Sequence, residues 1–282
     1  MAQKHLIALD VDGTILGYDG TLSESVRQVL EALAEAGHHL VISTGRALPG
    51  ALEVVHALGL TRGFVVCSNG SVVVRLDPEL PLGWEMHHVV SFDPRDALER
   101  MHEALPTALF LVEDPDLHRW ASGAFPMGEL AEADTLDIVD FDELLTKRAT
   151  RIVMREVNGT AEDFAEAVDR LGLHEVSYSV GWSNWLDIAP EGISKASGLA
   201  LVEAELGVPH ELSVGAGDGL NDIEMIEWVE HGIVMGQAKI DLKRLASVVT
   251  GSIDEDGLAE ALVEYFDLDA SLLEASGSST TR

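Results

Sequence analysis

The chain has 282 residues, 46% hydrophobic and 24% charged, which suits one large folded domain or two modest ones and argues against disorder over its bulk. Its 49 acidic residues against 18 basic give a formal charge of −31, so it has no net attraction for a polyphosphate backbone, and nucleic acid is not expected as a partner. The same field repels a small phosphate ester, so a site for one needs local positive charge from a metal, a lysine, an arginine or backbone N–H groups.

Leu6 to Leu9 is a short apolar run that reads as a buried strand and stops at Asp10. It is too short for a signal sequence and no stretch reaches transmembrane length, so a cytoplasmic location and no membrane partner are expected. Thr21-Leu22-Ser23-Glu24 offers a capping box, behind which Val26, Val29, Leu30 and Leu33 recur at helical spacing until Gly37. His39 to Ser43 is the next strand, followed by a helix over Leu48 to Leu58 and a strand from Phe64 to Cys67. Cys67 is the single cysteine, which excludes an internal disulfide; its apolar flanks predict a packed thiol rather than a nucleophile. Strand and helix alternating at this spacing predict right-handed crossovers and a parallel sheet.

Residues 83–186 read differently. Apolar runs at Ala108 to Val112 and Arg151 to Met154, a helix around Ala161 to Leu171, and alternation through Val176, Tyr178 and Val180 predict an α+β unit with an antiparallel sheet. Trp182 and Trp185 are expected to pack within it. From residue 187 the first rhythm returns, with a helix over Lys195 to Leu206, a strand from Leu212 to Gly215, and shorter elements to Phe266. The predicted organisation is a core of residues 1–82 and 187–270, an inserted cap of 83–186, and a Ser/Thr/Gly-rich tail of 271–282 expected to be disordered.

In an open parallel sheet, ligands bind beyond the carboxyl ends of the strands. Asp10-Val11-Asp12-Gly13-Thr14, Thr44-Gly45-Arg46, Ser68-Asn69-Gly70 and Gly217-Asp218-Gly219-Leu220-Asn221-Asp222 all sit at such ends. Two carboxylates two positions apart suit separate acid and base roles. Several carboxylates at one site repel unless a cation lies between them, and an oxygen-only set favours Mg²⁺. Glycines let backbone N–H groups approach phosphate oxygens. Lys195 opens a helix that Ser194 can cap, bringing a cation and a helix N-terminus together. Arg46 suits a substrate contact or a structural ion pair; Asn69 suits a phosphate contact or ordinary Asn-Gly turn chemistry. The pairs His38-His39 and His87-His88 point to opposite faces of a strand and are read as packing residues.

DVDGTIL, STGR, GISK and GDGLNDIEM, in that order, resemble the four signature motifs of the haloacid-dehalogenase-like phosphatases. The length, the insertion after the third strand and the ending VMGQAK…VVTGSIDEDGLAEAL resemble the Cof-type subgroup, and the likeness covers the chain except its tail. It implies an α/β fold, a Rossmann-like three-layer parallel-sheet core with an inserted α/β cap. It also implies hydrolysis of small phosphate monoesters, sugar phosphates foremost, with Mg²⁺ as cofactor and a small phosphorylated metabolite as the partner. Asp10 would be the nucleophile and Asp12 the general acid and base, with Thr44 and Lys195 holding phosphoryl oxygens. The metal would lie on the Asp10 carboxylate, the Asp12 carbonyl and Asp218, supported by Asp222, while Gly13, Thr14, Gly45, Arg46, Asn69 and Asn221 would line the phosphate. Ser43 and Gln237 depart from the family pattern at positions expected to carry no chemistry. The rival readings are a phosphotransferase or mutase of the same superfamily and, further off, a phospho-accepting signalling receiver. The motifs carry no signal for oligomeric state.

Overall fold

The computed structural model describes residues 3–127, 129–130, 136–171, 176–180 and 184–277. The first apolar run becomes β1 (Leu6–Leu9), whose four side chains are all fully buried. A strand with no solvent face belongs inside a sheet covered on both sides. The chain runs on through α1 (Glu24–Glu35), β2 (His39–Ser43), α2 (Leu48–Ala57) and β3 (Gly63–Cys67), then turns back through β4 (Val72–Leu76) and β5 (Trp84–Val89). It leaves this sheet for α3 (Arg95–Ala104), β6 (Leu109–Glu113), β7 (Arg119–Ala121), β8 (Leu136–Ile138), α4 (Phe141–Leu144), β9 (Arg151–Arg155), α5 (Ala161–Arg170), β10 (Val176–Val180) and β11 (Trp185–Pro190). It returns with α6 (Lys195–Leu206), β12 (Ser213–Gly217), α7 (Ile223–Trp228), β13 (His231–Val234), α8 (Ile240–Lys243), β14 (Val248–Val249) and α9 (Gly257–Phe266).

The first sheet has the order β14-β13-β12-β1-β2-β3-β4-β5, parallel from β14 to β3 and antiparallel over the last two strands. Alternation along β1 sends Ile7 and Leu9 to one face, where they join α1, α2 and α9, and Leu6 and Ala8 to the other, where they meet α6, α7 and α8. The result is a three-layer α/β sandwich. On α1, Val26, Val29, Leu30 and Leu33 are buried at helical spacing, each contributing roughly 1.5–3 kcal/mol. Its N-cap is Ser23, whose Oγ accepts from Val26 N–H at 3.1 Å, rather than the Thr21 of the expected capping box.

The second sheet, β10-β11-β9-β6-β7-β8, is antiparallel except between β7 and β8. One face packs Phe110, Val112, Ile152, Met154, Leu186 and Ile188 against α3 and α5. The other face carries Leu111, Ala121 and Val153 and, by alternation, Glu113, Arg119, Arg151 and Asp187.

Two expectations shift. β5 pairs with β4 in the first sheet, so residues 84–89 belong there and not to the insert; a parallel sheet commonly carries such an antiparallel edge. Ala270–Gly277 forms a 3-10 helix, and Leu272 and Leu273 pack against the core, because this apolar pair has α1 beside it to cover. Residues 278–282 of the expected tail lie outside the described residues, as does Trp182. Among the described residues, no helix is long and apolar enough to cross a membrane.

Candidate active site

The parallel strands deliver their carboxyl ends to one edge. Asp10 follows β1 and is 5% exposed, its N–H donating to Ala216 O on β12 at 3.0 Å. Lys195, the first residue of α6, is fully buried beneath the same edge, and Ser194 caps the helix through a reciprocal bond with Ser197. Lys195 Nζ donates to Asp10 Oδ1 at 2.5 Å and to Asp222 Oδ1 at 2.6 Å. The second oxygen of Asp222 accepts from the backbone N–H groups of Asp218 (3.0 Å) and Gly219 (2.8 Å), fixing the loop that carries Asp218.

Asp10, Asp218 and Asp222 each offer an oxygen within 4.8 Å of the others. Three carboxylates against one ammonium leave an excess of two negative charges in a dry site. Burial, and then the nearby Asp222, push the Asp10 carboxyl up to about 7. Burial and then Asp10 push Asp218 up to about 6. Burial also raises Asp222, against the pull of Lys195. Burial alone would lower Lys195, but the two carboxylates outweigh it and hold the ammonium charged. An all-oxygen donor set with uncompensated negative charge fits a hard dication such as Mg²⁺.

Gly13 has φ +84° and lies where a Cβ would come within 2.3 Å of Asp218 Oδ2, so only glycine fits beside that carboxylate. Its N–H donates to Leu16 O at 2.8 Å, and Thr14 N–H donates to Val11 O at 3.2 Å. The backbone donors expected to cradle phosphate at these two residues are therefore committed within their own loop. Thr14 Oγ1, by contrast, is buried without a hydrogen-bond partner among the described residues.

Asp12 turns away from the carboxylate cluster. Its side chain is 47% exposed and is held bidentately by Arg46, at 2.9 Å from Nε and 2.6 Å from Nη2. In this structure Arg46 is paired with Asp12. Thr44 is buried, accepting at its carbonyl from Asn69 N–H at 3.1 Å and at Oγ1 from Arg46 N–H at 3.1 Å. Asn69 Oδ1 accepts from Asn221 Nδ2 at 3.0 Å, and both amides crowd Gly45. The four segments expected to converge do so.

Two residues without a sequence signal join them. Tyr18 Oη donates to Asp218 Oδ2. Gln237 Nε2 donates to Gly13 O at 2.6 Å and to Asp218 Oδ2 at 3.3 Å, while its Oε1 accepts from Ile253 N–H at 3.0 Å. Gln237, which departs from the family pattern, ties together the loops of Gly13 and Asp218 through its amide, by contacts far apart in sequence. Cys67 is fully buried and its thiol pushed up, as a packed cysteine should be. His38 lies against His5 and Phe266, away from the carboxylates.

The chain is 28% identical over 276 residues to the 5-amino-6-(5-phospho-D-ribitylamino)uracil phosphatase YitU of Bacillus subtilis, covering 94% of this chain and 99% of the relative. It is 29% identical over 259 residues to YcsE, a phosphatase of the same description from that organism, covering 91% and 94%. Among solved structures, the haloacid dehalogenase subclass IIB sugar phosphatase BT4131 matches with a TM-score of 0.76 over 94% of this chain and 99% of that one, a likeness of fold at 22% identity. The family model for haloacid dehalogenase-like hydrolases matches residues 7–262, which take in Asp10, Lys195, Asp218 and Asp222. By this match the chain belongs to the haloacid dehalogenase-like hydrolase family.

Proposed function

We propose that this hydrolase is a Mg²⁺-dependent phosphatase that cleaves small phosphate monoesters by way of an aspartyl-phosphate on Asp10. The observation that carries the reading is the buried Asp10–Lys195–Asp222 cluster with Asp218 beside it, at the carboxyl edge of the parallel sheet. Asp10, the Asp12 carbonyl and Asp218 would hold the metal, whose charge offsets that of the phosphoryl oxygens and favours the ionised Asp10.

A carboxylate oxygen of Asp10 attacks phosphorus in line, and the bond to the leaving oxygen breaks. Asp12 gives that oxygen its proton. Water then attacks phosphorus, Asp12 takes the water's proton, and the bond to Asp10 breaks, releasing inorganic phosphate and restoring the carboxylate. Lys195 and Thr44 stabilise the charge on the phosphoryl oxygens, with Asn69, Asn221 and the buried Thr14 beside them. Arg46 holds both Asp12 oxygens in this structure, so the Asp12 carboxyl has to release Arg46 before it gives or takes a proton. Asp222 positions Lys195 and the Asp218 loop. Gly13 serves by having no side chain beside Asp218.

The named activities of the relatives support a phosphorylated polyol or sugar as substrate, read by an inserted cap, in the cytoplasm. The deciding experiment measures phosphate release from sugar, polyol, nucleotide and cofactor phosphates with Mg²⁺ and with EDTA. Release that needs metal and disappears in Asp10→Asn, in protein with a native circular-dichroism spectrum, is the expected result. Transfer to a sugar acceptor without free phosphate would replace the hydrolase reading by a transferase.

A further inference from the structure

After β3 come three consecutive residues in left-handed space: Ser68 (φ 48°), Asn69 (φ 53°) and Gly70 (φ 101°). Glycine adopts this backbone freely; Ser68 and Asn69 stay there because other groups hold them. Two of the holds lie in the first sheet's own loops, Ser68 N–H to Arg46 O at 2.9 Å and Asn69 N–H to Thr44 O at 3.1 Å. The third comes from the second sheet. Glu113, the last residue of β6, is 1% exposed, and its Oε1 accepts from Ser68 Oγ at 2.6 Å and from Thr150 Oγ1 at 3.4 Å.

A buried carboxylate needs donors and opposite charge around it. Glu113 stands in register with Arg119 on β7 and Arg151 on β9, and Arg151 is paired with Asp187 at 2.6 Å. The carboxylate thus stands in a row of alternating charges in its own sheet, attracted by both arginines and bonded to Thr150 beside it. Where that sheet sits decides whether Ser68 finds its acceptor. On the far side of Ser68 the contacts continue into the active site, through Asn69 to Asn221 and to the Thr44 carbonyl.

We propose that Glu113 is a positioning residue for catalysis: through Ser68 it holds Asn69 and Asn221 in place, so the loop takes its working geometry only while the second sheet is seated on the first. The proposal rests on the phosphatase reading given above. Glu113 handles no proton and touches no phosphate; it acts on the loop that does the touching.

The test compares Glu113→Gln, Glu113→Ala, Ser68→Ala and the double variant Glu113→Ala/Ser68→Ala. It reads kcat and KM for Mg²⁺-dependent release of phosphate from p-nitrophenyl phosphate, the melting temperature, and amide hydrogen exchange over residues 66–72. Glu113→Gln keeps an oxygen for Ser68; Ser68→Ala removes the donor and leaves Glu113 with its arginines. The expected result is a loss of about tenfold in kcat for each alanine variant, with no further loss in the double variant. Glu113→Gln should recover most of the rate, and exchange over residues 66–72 should quicken in both alanine variants. Wild-type kcat and exchange in Ser68→Ala would overturn the proposal. So would losses that multiply in the double variant, or a Glu113→Ala protein that melts earlier but turns over normally. If Glu113→Ala does not fold, Ser68→Ala and Glu113→Gln decide the matter. Wild-type protein that releases no phosphate from any ester would sink the phosphatase reading alone, and the exchange data would still decide whether Glu113 holds the loop.

Discussion

The role proposed for Asp10 carries two demands that conflict: a nucleophile has to be ionised, and a carboxyl this buried resists ionisation. In the absence of a metal its pKa rises from 3.8 to about 7, and that of Asp218 to about 6, despite the pull of Lys195. Between about pH 4 and pH 7 the metal-free folded protein then holds protons that the unfolded chain has released, so stability falls as pH rises through that window. Urea midpoints of metal-free protein should drop over this range relative to Asp10→Asn, and excess Mg²⁺ should remove the difference. A midpoint difference independent of pH would mean that Asp10 is ionised throughout. Asp12 has the opposite setting, exposed at 47% and clamped by Arg46. In the acid role proposed for it, Asp12 would matter most when the leaving oxygen is a poor one. Asp12→Asn should therefore slow an alkyl phosphate about 10²-fold or more and p-nitrophenyl phosphate far less; equal losses on both would remove Asp12 from that role.

At the scale of elements, the site depends on loops from four strands keeping a close fit with one helix. Gly70 is the tightest point, since a Cβ there would lie 2.0 Å from Ser194 O, the backbone of the residue that caps α6 ahead of Lys195. Gly70→Ala should cost about 2 kcal/mol or more and lower kcat by displacing Lys195. Gly207→Ala is the control: the far end of α6 is also left-handed, at φ +64°, but nothing lies within 4 Å, so it should cost about 1 kcal/mol and leave kcat alone. Equal effects would assign the Gly70 requirement to backbone strain and not to contact with α6. The sheet centre was legible in the sequence because β1, β2 and β3 are unbroken apolar runs ending in polar clusters, and α6 begins at Lys195 as its capping serine predicts. β5 was not, because its mixed pattern WEMHHV fits an edge strand or an insert equally well, and only pairing with β4 decides. Asp10, Lys195, Asp218 and Asp222 were legible because each sits in a short motif. Tyr18, Gln237 and Glu113 make their contacts to the site across 200, 224 and 45 residues of sequence, and no local pattern announces such bonds.

The whole molecule sets a charge problem that the site answers locally. A formal charge of −31 surrounds a pocket meant for an anionic ester. At long range the ester meets a repulsive field; within a few ångströms it meets Lys195 and the metal proposed between Asp10 and Asp218. Salt discriminates between the two ranges, because the Debye length is about 10 Å at 0.1 M and about 3 Å at 1 M, while contacts inside the pocket are screened far less. If the diffuse field governs capture, adding KCl at saturating Mg²⁺ should raise kcat/KM for a sugar phosphate, through faster association, with kcat nearly constant. If the local cations govern capture, the same titration should leave kcat/KM nearly unchanged or lower it slightly. The net charge of −31 is spread over the whole chain, whereas Lys195 is a single buried cation. The expected slope is therefore positive, rising most steeply below about 0.1 M salt. A flat or negative slope would mean that the cations within the site, and not the diffuse field, govern capture.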